Sequence, residues 1–171
     1  MKCLLAVLLF LSPVFAQDQA AAARAAAGCG PSEVQFDVKT DKNQHPVAQP
    51  QTGKALVYVF QNELWKATTR VGLDGAWVGA NHGESYFFFP VDPGDHRLCT
   101  NWQSVHKAFS KLGSAASLTA EAGKVYYFRT KVYESQESPV HRPALKLEPL
   151  DSAEGQLLVA SSSFSSSHAK K

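Results

Sequence analysis

Between Val125 and Tyr133 the chain changes face with every residue. Tyr126, Phe128, Thr130 and Val132 fall on one side, and Tyr127, Arg129, Lys131 and Tyr133 on the other. Successive side chains of a strand project to opposite faces, so this period of two specifies a half-buried β-strand and not a helix. The first set is expected to face the core. A stretch of this kind must pair with other strands to satisfy its backbone, and the rest of the sequence supplies candidates.

Ala55 to Phe60 is a continuous apolar, β-branched and aromatic run after Gly53, as in a central strand buried on both sides. Thr68–Leu73 and Ala76–Ala80 flank Asp74-Gly75, a strong hairpin signal because both turn positions must tolerate positive φ. Ser85–Val91 leads through Asp92-Pro93-Gly94-Asp95 into a segment where Leu98, Thr100 and Trp102 oppose Arg97, Cys99 and Asn101. Ser114–Ala122 and Ala144–Leu147 add two more extended stretches, with the segment from Val105 to Leu112 less clearly assigned. Short strands with turn signals at regular intervals predict an all-β fold: an antiparallel β-sandwich, or a partly open barrel, of about seven to eight strands. Asp151 with Glu154 three residues on reads as a helix N-cap and capping box, opening one short helix over Ser152 to about Ser161. Gly155 weakens that helix by nearly 1 kcal/mol.

At the N-terminus Met1-Lys2, the apolar run Leu4–Phe15 and Ala16 have the layout of a cleavable signal peptide. The run is shorter than the roughly 20 residues needed to span a bilayer. The expected organisation is therefore a signal peptide over 1–16, then a flexible leader and extended linker over 17–52 with one possible edge strand at Val34, Phe36 and Val38. A β-sandwich domain follows over 53–150, with a short helix and a disordered Ser-rich tail over 151–171. Of three cysteines, Cys3 leaves with the signal, so Cys29 and Cys99 remain. In an oxidising compartment they form a natural pair worth about 4 kcal/mol on the chain-entropy estimate. The alternative is that Ala26-Ala27-Gly28-Cys29 is a lipoprotein processing site, with Cys29 lipidated and the protein tethered to a membrane.

A net charge of +2 with interspersed signs argues against nucleic acid as a partner, since that requires a basic stripe. None of the six histidines stands in an HxH, HxxxH or HxxE arrangement; a zinc site would have to be assembled from distant positions, for instance His82 with His96 across neighbouring strands. Gly-x-Ser-x-Gly and the Gly-rich phosphate signatures are absent. No catalytic residue, metal ligand or cofactor is assigned. The side chains best suited to recognition are Trp65 in a connecting segment, Trp77 just after the Asp-Gly turn, and the Tyr127, Arg129 and Tyr133 face. Tryptophan and tyrosine can stack on sugar rings or anchor protein contacts, but can equally cap a core.

The segments GKALVYVF, LDGAWVG, GESYFFFPVDPGDHRLC and LTAEAGKVYYFRTKV resemble the bacterial DUF2846 family, exported domains and lipoproteins of unknown function. The resemblance covers roughly Lys54 to Val132 and implies a small β-sandwich, with no catalytic residue to carry over. Export, a compact β architecture and the missing chemical motifs predict a non-catalytic module of the periplasm or cell envelope. Its role would be binding or structural, with an envelope protein or a glycan as partner. Two alternatives stand beside it: a glycan- or peptidoglycan-binding module using surface Trp and Tyr, and a hydrolase with a dispersed active site.

Overall fold

The structure, a computed structural model, describes residues 29–62, 67–104, 112–135 and 142–171. The expected signal peptide, the leader up to residue 28, most of the Val105–Leu112 segment and Trp65 lie outside the described residues. The strands are β1 (Phe36–Asp41), β2 (Ala55–Gln61), β3 (Thr68–Leu73), β4 (Ala76–His82), β5 (Ser85–Val91), β6 (Gly94–Gln103), β7 (Gly113–Ala120), β8 (Val125–Ser135), β9 (Arg142–Leu150) and β10 (Ser163–Ala169). One helix, α1 (Ser152–Ser161), separates the last two strands.

The strands form two sheets, one in the order β1-β10-β5-β2-β8-β9 and one in the order β4-β3-β6-β7. Neither closes on itself, so no closed barrel is formed. Ten strands exceed the expected seven to eight, and the arrangement is not purely antiparallel, because β2–β8 and β10–β5 pair in parallel. Two crossovers produce the parallel pairs: the chain passes from β7 of the small sheet into the large one as β8 beside β2, and α1 returns it from the end of β9 to the start of β5.

Alternation along the central strands divides the apolar residues between two layers. Ala55, Val57 and Val59 of β2, Phe87 and Phe89 of β5 and Phe128 of β8 meet Val71, Leu98 and Leu118 of the small sheet in a shared core. The opposite face of β2 would be solvated in a simple two-layer fold, yet Leu56, Tyr58 and Phe60 are fully buried. They form a second apolar layer with Tyr86, Tyr127, Phe164 and the α1 residues Leu158 and Val159. The segment 42–52 completes this cover. Ala48 N–H donates to Tyr58 Oη (2.8 Å), and Tyr86 Oη donates to Pro46 O (3.1 Å). Burial pushes the Tyr86 phenol up to about 12. The extended linker expected from its prolines is thus extended, but docked.

Asp151 caps α1 as expected, accepting the Glu154 N–H (2.8 Å). The reciprocal half of a capping box is replaced: the Glu154 carboxylate accepts from Arg129 Nη1 (2.6 Å). Gly155 looks like a flaw in the helix from sequence, but it sits against Tyr127, and a Cβ there would overlap the ring. The absent side chain is what lets the helix reach the sheet.

The Ser-rich tail, expected to be disordered, is strand β10. It pairs antiparallel with β1 from Phe164 to Ala169, and with β5 only at Ser163 and Phe164. Beyond that point Ser167 Oγ accepts the Ala80 N–H (3.0 Å) at the margin of β4. Backbone pairing with two neighbours orders a segment whose side chains carry almost no apolar signal.

Candidate ligand-binding site

The strand directions give the molecule two unlike ends. At one end the connections are tight: Asp74-Gly75 between β3 and β4, Asp92-Pro93 between β5 and β6, and 121–124 between β7 and β8. Asp74 and Gly75 both take positive φ (50° and 89°), as an Asp-Gly hairpin turn requires. His96 is clamped there, with Nδ1 against Asp74 Oδ2 (2.6 Å) and Nε2 against Asp92 O (2.7 Å). The hydrogen bond to Asp74 raises the imidazole above its ordinary value. Despite some desolvation, the Arg97 N–H and His96 hold the Asp74 carboxyl below its own.

At the other end leave the long connections 62–67, 104–112 and 136–141, together with the turn at Gly83-Glu84. At this end the shared core changes character. Inward positions that are Val59, Phe87 and Phe128 one step earlier become Gln61, Ser85 and Thr130, aligned in register across β5, β2 and β8. Thr69, Asn81 and Thr100 complete the layer from the small sheet, and Ser165 from β10, all essentially inaccessible.

Most polar atoms of this layer are paired. Gln61 Nε2 donates to Ala67 O (3.0 Å), Asn81 Nδ2 to Val59 O (3.2 Å) and Thr100 Oγ1 to Arg70 O (3.2 Å). Ser85 Oγ lies 2.6 Å from Ser165 Oγ. Gln61 Oε1 and Asn81 Oδ1, however, are buried with no partner among the described residues. An unpaired buried acceptor costs about 1–3 kcal/mol, so a layer holding two is built for something other than stability alone.

The residues singled out from sequence are dispersed. Trp65 belongs to the connection 62–67 and lies outside the described residues. Trp77 is no open platform: its Nε1 donates to Pro31 O (2.7 Å), Gly30 packs on the ring, and the Arg70 guanidinium stands 4.5 Å from its centroid. Arg70 also donates to Ser32 O, Val34 O and Asn101 Oδ1, binding residues 29–34 across the outer face of the small sheet. Cys29 and Cys99 are disulfide-bonded beneath that segment (Cα–Cα 5.4 Å). Gly72 is required there, because a Cβ would run into the Cys29 carbonyl.

Tyr127 lies under α1. Arg129 is engaged by Glu148 (Nη2–Oε1 2.6 Å) and Glu154, and of the three only Tyr133 is exposed, at 44 %. The Glu148 hydrogen bond raises the Arg129 guanidinium further and draws Glu148 below the usual carboxylate range. The three do not form a common strip. His82 and His96 stand at opposite ends, His82 Nδ1 being bonded to Thr68 Oγ1 (3.0 Å). Among the described residues no group of three or more His, Cys, Asp or Glu could hold a metal.

Sequence reasoning placed Thr130 on the core face and Thr100 on one face with Leu98 and Trp102, but did not single out Gln61 or Asn81. The alternation of Ala55, Val57 and Val59 does point Gln61 inward. A polar residue closing a strand simply looks like a strand end.

Fold and site together define a disulfide-bridged, two-sheet β domain with a polar interior at its long-loop end. By sequence the chain belongs to DUF2846, described as a protein of unknown function, whose family model matches residues 51–143. No curated protein and no solved structure matches the chain. The matched region carries β2 to β8 and hence the whole polar layer except Ser165. The disulfide partner Cys29, β1, α1 and β10 lie outside it.

Proposed function

We propose that this protein is an exported, non-catalytic module of the cell envelope that binds its partner at the long-loop end. The observation that carries this reading is the polar layer formed by Gln61, Thr69, Asn81, Ser85, Thr100, Thr130 and Ser165 at the strand ends from which the long connections leave. The layer contains no carboxylate and no imidazole. Its serine hydroxyls bond each other and the His82 carbonyl oxygen, not a ring nitrogen that could activate them. Export is supported by the Cys29–Cys99 bridge, a bond characteristic of oxidising compartments. The bridge also occupies the sulfur that a lipid thioether would need, which favours export without an anchor. Among the described residues no helix is long and apolar enough to cross a membrane.

Two experiments test the reading. Intact mass of the chain recovered from a fractionated cell, before and after reduction, should show processing near Ala16 and a gain of two hydrogens; a lipid mass would contradict export without an anchor, and a cytoplasmic thiol form would contradict export itself. An activity screen on esters, glycosides and peptides, with and without zinc, should stay blank, and turnover abolished by a substitution in the polar layer would overturn the non-catalytic assignment.

A further inference from the structure

We propose that Gln61 Oε1 and Asn81 Oδ1 are the acceptors for hydroxyl or amide N–H donors of a neutral, hydroxyl-rich ligand, a saccharide, entering at the long-loop end. The proposal rests on the binding end assigned above and names the ligand class it takes. Both oxygens are fully buried and unpartnered among the described residues. Their orientation is fixed by the opposite end of each amide. Gln61 Nε2 donates to Ala67 O, while Asn81 Nδ2 donates to Val59 O and Ser85 O. Rotating either amide would set oxygen against a carbonyl oxygen. Two acceptors are therefore held facing the interior in a layer shared by both sheets.

The surroundings select among ligands by charge. Thr69, Ser85, Thr100, Thr130 and Ser165 are neutral, and the layer has no carboxylate with which to hold a divalent cation. It has no cation for an anion either: Arg70 faces the outer side of the small sheet, where Ser32 O, Val34 O and Asn101 Oδ1 occupy it. A monovalent cation would need more free oxygens than two. Thr100 Oγ1 already donates to Arg70 O and receives the Thr130 hydroxyl, and Ser85 and Ser165 pair with each other. Neutral donor groups are what remains.

The test uses the full processed chain labelled with nitrogen-15. It is titrated separately with N,N′-diacetylchitobiose, cellobiose, maltose, sodium chloride and potassium chloride. The expected result is a saturable shift of the Gln61 and Asn81 side-chain amide signals with at least one saccharide and with neither salt. Asn81→Leu, checked for folding by circular dichroism, should weaken that saccharide at least tenfold. Shifts of the same signals with salt alone would make this a cation site and overturn the proposal. Backbone shifts at Asn62, Gly83 and Glu84 without any at the two side-chain amides would leave the binding end standing and reject these acceptors. If no saccharide moves any signal at that end, the saccharide proposal fails, while the binding end assigned above then rests on a protein partner.

Discussion

The two ends of this domain are made by the same strands and obey different rules. At the tight-turn end the strands are joined by Asp74-Gly75 and Asp92-Pro93, and the interior is Ala55, Val57, Val91, Leu118 and Ala120. At the long-loop end the same strands carry Gln61, Ser85, Thr100 and Thr130, two of the buried acceptors lack partners among the described residues, and the connections are several times longer. The comparison teaches where folding and recognition are separated. One end closes the fold with apolar packing and short turns, and the other retains polar atoms that packing alone would not favour.

The comparison breaks most readily in the core. Leu98→Ala should cost about 2–5 kcal/mol in urea unfolding, because the side chain is fully buried between the sheets. Two residues along β6, the double change Thr100→Val with Thr130→Val removes a buried hydroxyl pair while keeping shape, and should stay within about 1 kcal/mol of the parent. A double variant as damaging as Leu98→Ala would show the polar layer to be ordinary scaffold.

A smaller effect is expected where α1 starts, beside the tight-turn end. Gly155→Ala should lower stability by about 1–3 kcal/mol, although alanine is the better helix former, because the added methyl meets Tyr127. A gain in melting temperature would mean that the helix does not sit against the sheet as described. Smaller again, Gly75→Ala should cost about 1 kcal/mol by forcing a Cβ into positive φ, read as a lower urea midpoint at unchanged slope.

The least of these effects is a pH dependence confined to the tight-turn end. His96 has a raised value when folded, so its contribution is complete below the ordinary imidazole range, near 6.5, and is lost as pH rises through the folded value. Asp74 has a lowered value, so its contribution is present above the ordinary carboxylate range and is lost as pH falls through the folded one. Stability from this pair should therefore peak in mildly acidic solution and decline toward alkaline pH. The decline should be absent in His96→Gln, measured by thermal melts from pH 5 to 9.

Local pattern alone was enough for much of this molecule. The alternation from Val125 to Tyr133 determined β8, the unbroken run from Ala55 marked β2 as central, Asp74-Gly75 announced its hairpin, and Asp151 announced α1. Each of these depends on residues a few positions apart, whose side chains must share a face or whose backbone must turn. What depends on residues far apart was decided only by the tertiary structure. Pairing with β1 and β5 turned a polar serine tract into β10, and close approach to Tyr127 converted the apparent weakness of Gly155 into a requirement. The segment from Cys29 to Val34 came down over Trp77. The polar layer is the plainest instance: its members come from β2, β3, β4, β5, β6, β8 and β10, and the pattern within any one strand does not show that they meet. A shared environment is a property of the packed sheets, because burial and unmet hydrogen bonds exist only once distant strands have been brought face to face.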